Sequence, residues 1–289
     1  MSAAAQTTWV RQIADALARS GVETVAISPG SRSAPLALAL TEHPRLRTEV
    51  IVDERVAAFF ALGVARTTGK PAAALCTSGS AGAHYHPAVV EAGRAGLPLL
   101  LLTADRPPER HHRLAPQTIE QVAFYGAHCR GCFDLGPAEA APALLGATAR
   151  TVAQAVARAR GAAGAPAGPV QLNLRLRKPL EPAPDAPPIV DVSLPRVHPP
   201  QPAPSATSLD TLAELCRVKR RGLDRRRAGP PWSAPDHALF TQFSRPRHAP
   251  GGRGGQPAAM GPFFRAPSCA SWEWLLRCGC LADQGPRTC

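Results

Sequence analysis

The sequence predicts an α/β fold, a doubly wound and mainly parallel sheet, followed by a Pro-rich linker and an irregular basic tail. Three observations point there. Short runs that are almost wholly apolar recur between helix-length segments, as strands covered on both faces require. The segments between them carry apolar residues suited to packing on a sheet, and strand–helix alternation of this length implies parallel pairing. The strand-like runs also end in polar clusters, and open parallel sheets bind ligands beyond the carboxyl ends of their strands.

The elements follow in order. Residues 1–21 form an amphipathic helix pattern with Trp9, Ile13, Ala16 and Leu17 on one side. A first strand, Val22–Ser28, runs into the turn Ser28-Pro29-Gly30-Ser31-Arg32-Ser33, and the helix Ser33–Glu42 follows with Leu36, Leu38 and Leu40. A second strand is expected at Glu49–Asp53 and a helix at Glu54–Thr67 with Val56, Phe59, Phe60 and Val64. Then come strand Ala72–Ser78, helix Ala81–Ala95 with Val89 and Val90, and strand Leu97–Asp105. The long Ala-rich helix Ala138–Arg160 bears Leu144, Leu145, Val152 and Val156, and strand Pro169–Leu176 closes the set. Pro179–Pro204 holds ten prolines and reads as a linker; a helical fragment, Ser208–Cys216, follows it. Residues 217–289 hold nine Pro, nine Gly and 13 basic residues with no sustained period, a composition ill suited to burying a core.

The length of 289 residues allows one large or two ordinary domains. No stretch has the about 18 uninterrupted apolar residues of a membrane span, and the N-terminus lacks the basic start and apolar block of a secretory signal. A cytoplasmic protein is expected. The net charge of +12 is unevenly spread. Residues 1–216 hold 20 Lys+Arg against 17 Asp+Glu, whereas residues 217–289 hold 13 against 4, so most of the excess sits in the tail. Three Lys stand against 30 Arg, a bias of GC-rich codons rather than of a ligand, and no nucleic-acid partner is expected. Of the eight Cys, Cys129 and Cys132 have CxxC spacing but no second pair to complete a zinc site, so incidental thiols in a reducing compartment are expected.

Four polar clusters end the strands: Ser31-Arg32, Asp53-Glu54-Arg55, Thr77-Ser78-Gly79-Ser80 and Thr103-Ala104-Asp105-Arg106. Each has a structural alternative. Ser31 and Ser33, or Thr77-Ser78-Gly79, could cap helices; Asp53 or Glu54 could be an acid favoured by a helix dipole; Arg106 could pair with Asp105 or Glu109. Their convergence at one sheet edge favours a ligand site. The first turn, with hydroxyls, free N–H groups at a helix start and a fixed positive charge, suits a carboxylate or phosphate. Glu54, between a strand and a strongly apolar helix, is expected to be partly desolvated and suited to proton exchange. Arg32 and Arg106 together suit a substrate with more than one carboxylate. Gln117 lies in the following connection and could reach the site or remain a solvated amide. His84 and His86 are expected as polar helix or loop residues, and His111 and His112 as solvated ones.

The segments ISPGSRSAPLALAL, VDERVAAFFALGVARTTGKPAAALCTSGSAGAHYHPAVVEA, LPLLLLTADRPPE, APQTIEQVAFYG and GPVQLNLRLRKPLEP resemble, in order and spacing, the N-terminal part of the 2-succinyl-5-enolpyruvyl-6-hydroxy-3-cyclohexene-1-carboxylate synthase family, thiamine-diphosphate enzymes of menaquinone biosynthesis. SPGSRSAP with TADRPPE and APQTI sets this family apart from carboligases of the acetolactate synthase kind. The resemblance covers roughly residues 5–216. It implies a pyrimidine-binding domain at residues 1–180, a linker at 181–207 and the start of a central domain at 208–222. It implies a carboligase that decarboxylates 2-oxoglutarate on thiamine diphosphate and adds the resulting acyl-anion equivalent to isochorismate by conjugate addition. Glu54 matches the family's catalytic glutamate, which hydrogen-bonds a ring nitrogen of the aminopyrimidine. Ser78 and Gly79 match the cofactor-binding turn. Ser31, Arg32, Arg106 and Gln117 match positions lining the substrate pocket. Magnesium or manganese is implied in the family's C-terminal domain, with no metal site expected in this chain, and a homo-oligomer is implied because the family builds its site between subunits.

Family members continue through a central domain to a third, diphosphate-binding domain, and nothing in residues 217–289 resembles it. Where the family has an apolar strand such as GLIVAGP, this chain reads Gly222-Leu223-Asp224-Arg225-Arg226-Arg227. One added base in GC-rich codons produces that change. Residues 223–289 are therefore expected to be out-of-frame or disordered, and the chain to be inactive alone. A non-catalytic anion- or nucleic-acid-binding protein is the reading from another class; the tail lacks the interleaved aromatics and motifs of the latter.

Overall fold

The computed structural model describes residues 2–195 and 204–218. The tail from residue 219, including the reading frame expected at 223–289, lies outside the described residues. The sheet has six strands, β1 (Thr24–Ile27), β2 (Arg47–Val50), β3 (Ala72–Cys76), β4 (Leu99–Asp105), β5 (Cys132–Leu135) and β6 (Val170–Arg175), in the order β2-β1-β3-β4-β6-β5. Every pairing is parallel. The expected fold class is the observed one.

Helices α1 (Ala3–Arg19), α2 (Ala34–Glu42) and α5 (Pro142–Ala159) cover one face; α3 (Glu54–Thr68) and α4 (His86–Ala95) cover the other. The two-residue period of β4 feeds both cores. Leu100 and Leu102 join Ile13, Leu17, Leu36 and Val152, while Leu99 and Leu101 join Ala57, Ala61, Ala65 and Val89. The small alanine face of α3 lets it lie close on the sheet. Its large residues Val56, Phe59 and Phe60 consequently point outward and are exposed, as are Val50 and Val52 ahead of the helix.

Local chemistry sets the element ends. Asp53, expected in the second strand, instead caps α3: its Oδ1 accepts the Arg55 N–H at 2.9 Å. The strand therefore ends at Val50. Helix α3 stops at Gly69, whose φ of 70° is left-handed. The helix expected at Ala81–Ala95 divides into a tight 3₁₀ stretch, Gly79–Tyr85, and α4, with Pro87 in the first turn of α4. Residues 181–195 were expected as linker, yet they lie against α1. The Thr8 hydroxyl donates to the Pro187 carbonyl at 2.6 Å, the Val190 N–H donates to Gln12 Oε1 at 2.9 Å, and Val190, Val192 and Leu194 pack on the first core. Helix α6 (Ala206–Val218) stands where the helical fragment was expected. Among the described residues no helix is long and apolar enough to cross a membrane.

Candidate functional site

The site is built on the carboxyl ends of β1, β3 and β4. After β1 the chain turns through Gly30, which is pressed against Thr77 at the end of β3: a Cβ added at Gly30 would stand 2.3 Å from Thr77 Cβ. Ser33 is the N-cap residue of α2, but its Oγ donates to the Gly30 carbonyl at 3.0 Å and closes the turn rather than bonding a helix N–H. Ser31 is exposed, while Arg32 is drawn inward to 5% exposure. Arg32 Nη1 donates to the Leu176 carbonyl at 2.7 Å, tying this turn to the end of β6, while its Nε has no partner. Burial, together with the positive charges of Arg106 and Arg110, lowers the Arg32 guanidinium to about 10; Asp105 and Glu109 oppose that shift. Like charges gathered without full compensation favour an anionic ligand.

Neither acid beside Arg106 pairs with its guanidinium. Glu109 holds Arg177 by two oxygens, and Asp105 is wholly buried and bonded to Asn173. Arg106 Nη2 instead approaches Gln117 Oε1 at 3.5 Å, and Gln117 Nε2 reaches the Ser78 carbonyl at 3.4 Å. Gln117 therefore bridges the Arg106 cluster and the Ser78-Gly79 turn. It does so with a left-handed φ of 54°, in a loop where His112, Leu114 and Ala123 also have positive φ. Gly79 has φ +83°, and a Cβ there would meet the Gln117 backbone at 3.3 Å. Both features restrict the position to glycine.

Glu54 is the first residue of α3, half-buried on the other side of the β1 and β3 ends. Burial pushes the thiol of Cys76 above the usual thiol range, and the charge of Glu54 pushes the same way; burial likewise raises the neighbouring Tyr85 phenol. The expected residues thus fall into two groups, Glu54 near Cys76, and Arg32, Arg106, Gln117, Ser78 and Gly79 around the β4 end, with exposed Ser31 at the rim.

Sequence reasoning missed several residues. His111, expected to be solvated, has a side chain only 10% exposed, with Nε2 3.2 Å from the Arg106 carbonyl and 3.6 Å from Asp105 Oδ1. Gln121, Thr103, Gln171 and Asn173 form a buried amide layer behind the site. Alternation of Gln171 and Asn173 with apolar residues in β6 was the available signal: polar residues facing one side of a covered strand need partners. The CxxC thiols are free. Burial pushes Cys129 up to about 12, and Cys132 Sγ accepts the Ala123 N–H. Among the described residues no group of three or more His, Cys, Asp or Glu is placed to hold a metal ion.

The residues present fit the aminopyrimidine end of thiamine diphosphate. Ser28 Oγ, Ser78 Oγ and Tyr85 OH are buried without a hydrogen-bond partner within the chain, near a carboxyl and a glycine turn with room for no side chain. Residues 7–124 match the family described as thiamine pyrophosphate enzyme, N-terminal TPP binding domain. The 2-succinyl-5-enolpyruvyl-6-hydroxy-3-cyclohexene-1-carboxylate synthase of Chloroflexus aurantiacus is 53% identical over 178 residues, 62% of this chain and 30% of that protein. The Haloquadratum walsbyi synthase is 50% identical over 185 residues, 64% of this chain and 29% of that protein. The Myxococcus xanthus synthase is 43% identical over 226 residues, 74% and 38% of the two. The N-terminal part of this chain is homologous to that of these synthases. The expected resemblance to this synthase family is shown for the N-terminal part of the chain, and the matched region spans about a third of the length of the curated synthases.

Proposed function

We propose that this chain supplies the pyrimidine-binding half of a thiamine-diphosphate-dependent carboligase that joins decarboxylated 2-oxoglutarate to isochorismate in menaquinone biosynthesis. The observation that supports it most is a half-buried carboxyl, Glu54, and buried, unpartnered guanidinium atoms, Arg32 Nε and Arg106 Nε, at the carboxyl ends of strands β2, β1 and β4 of one parallel sheet. The carboxyl suits a protonated ring nitrogen, and the guanidinium groups suit carboxylates.

The chain's own residues would act as follows. Glu54 holds a proton on the aminopyrimidine ring nitrogen and thereby favours its imino form. The Ser78-Gly79 turn and the buried Ser28, Ser78 and Tyr85 hydroxyls orient that ring. Arg32 and Arg106 bind substrate carboxylates, with Gln117 orienting Arg106 and Ser31 at the rim. The cofactor, when bound, supplies the carbon nucleophile. Residues 1–180 form the pyrimidine-binding domain, 181–207 join it to the next domain, and 208–222 begin that domain. The diphosphate and its Mg2+ or Mn2+ belong to a further domain of the full-length family. The exposed apolar side chains Val50, Val52, Val56, Phe59 and Phe60 support a site completed by a second subunit in a homo-oligomer, and the enzyme would act in the cytoplasm. The chain alone would not turn over, because positioning the cofactor accounts for much of the rate.

Calorimetry with thiamine diphosphate and magnesium, with and without a complementing C-terminal half from a relative, tests this reading. Expected are binding and isochorismate-dependent consumption of 2-oxoglutarate only in the complemented sample, both lost with Glu54→Gln. Absence of binding in the complemented sample overturns the reading.

A further inference from the structure

Behind the site, β4 and β6 turn polar side chains inward where strands covered on both faces are otherwise apolar. Thr103, Asp105, Gln171 and Asn173 are at most 1% exposed and Gln121 is 3% exposed. Their hydrogen bonds form one connected layer. Gln121 Oε1 accepts the Gly79 N–H at 2.7 Å. Gln121 Nε2 donates to the Ala104 carbonyl and to Asn173 Oδ1, each at 3.2 Å. The Gln121 carbonyl accepts from Gln171 Nε2 at 2.7 Å, and that same nitrogen donates to Thr103 Oγ1 at 3.1 Å. Asn173 Nδ2 donates to Asp105 Oδ2 at 2.9 Å, and Asp105 Oδ1 accepts the Arg106 N–H at 2.7 Å.

This arrangement leaves Gln121 one orientation. Exchanging its amide oxygen and nitrogen would set an NH2 group against the Gly79 N–H and an oxygen against the Ala104 carbonyl. The side chain is buried, so water cannot repair either mismatch cheaply. We propose that Gln121 is a positioning residue: it fixes the N–H of Gly79, and through Asn173 and Asp105 it holds the Ser78-Gly79 turn in register with Arg106. The proposal rests on the reading above for the statement that this turn takes the cofactor and Arg106 the substrate. The mechanical link itself stands on the bonds just given.

Amide hydrogen exchange on the full 289-residue chain, resolved by NMR, tests the link without any ligand. In the parent, Gly79 is expected to exchange as slowly as the β3 amides. Gln121→Met keeps the length and removes the acceptor, and is expected to speed Gly79 exchange about tenfold or more, while β3 amides stay protected. Gln121→Glu keeps an oxygen for Gly79 and, protonated as burial favours, one donor for the Ala104 carbonyl; it is expected to restore the protection. Fast Gly79 exchange in the parent overturns the proposal even if no variant folds. Unchanged Gly79 exchange in Gln121→Met, or equal loss in both variants, overturns it as well. In the complemented sample, thiamine diphosphate affinity is expected to fall about tenfold in Gln121→Met and to recover in Gln121→Glu. Binding by the parent with no change in Gln121→Met refutes the positioning role. Absence of binding by the parent refutes the functional reading instead, and the exchange data still decide the link.

Discussion

Gly30 is the position where a single methyl group should do most harm to the site. A Cβ there would lie 2.3 Å from Thr77 Cβ and 2.8 Å from both Thr77 Cγ2 and Oγ1. Carbon atoms pack at about 3.5–4.0 Å, so the turn and the end of β3 must separate by more than an ångström. Overpacking of this kind costs about 1–3 kcal/mol, which in a domain of this size lowers the melting midpoint by about 2–12 °C. The nearest clashing atom is Thr77 Cβ itself. Thr77→Ala leaves that atom in place, so it should not relieve Gly30→Ala, whereas Thr77→Gly should. Calorimetric melting of the parent, the single variants and the two double variants checks this as a mutant cycle. A midpoint for Gly30→Ala within about 1 °C of the parent refutes the reasoning, as does equal rescue by Thr77→Ala and Thr77→Gly. The displaced turn also pulls on the Arg32 bond to the Leu176 carbonyl at 2.7 Å, so anion binding should weaken together with stability.

Two further outcomes are expected. Asp105→Asn leaves a single oxygen to serve two donors, Asn173 Nδ2 and the Arg106 N–H, and should cost about 1–3 kcal/mol at neutral pH by denaturant titration. Burial raises the Asp105 carboxyl above its ordinary 3.8 despite those bonds, so the folded state takes up the proton first on acidification. The parent should therefore gain on the variant as pH falls through that raised value, reaching the full gain below 3.8; a parent–variant difference flat across this window contradicts it. Tyr125→Phe removes the bond from the buried phenol to the Gly82 carbonyl at 2.9 Å. It should cost about 0.5–1.5 kcal/mol, measured by the same melting, and an unchanged midpoint would show that Gly82 finds another donor.

The elements legible in the sequence were those whose two faces are both covered. β1, β3 and the first part of β4 are buried and rich in Val, Ala, Ile and Leu, and β6 carries Val170, Leu172 and Leu174 at alternate positions, so their apolar character shows without any knowledge of neighbours. The edge strands were not. β2 reads Arg-Thr-Glu-Val, and its expected end was misplaced because the Asp53 side chain caps α3 rather than extending the strand. β5 is four residues with one buried position, too short to carry a period. Among candidate site residues, Arg32 and Arg106 stood out because guanidinium groups at strand ends suit anions, and Gln117 only through the family resemblance. His111 and Gln121 were not, because a histidine or glutamine in a polar loop gives no sign of which way the loop folds back.

By itself the sequence determined the doubly wound sheet, the strand-end clusters and the homology to the N-terminal part of the synthases. All three depend on local periodicity and on short motifs that lie contiguous in the chain. Only the tertiary structure decided which clusters meet, which acids are already engaged, and that a buried amide layer ties Gly79 to Arg106. The physical reason is that these bonds join residues 17 to 70 positions apart, and a polar side chain shows its role only once its partners and its loss of water are known.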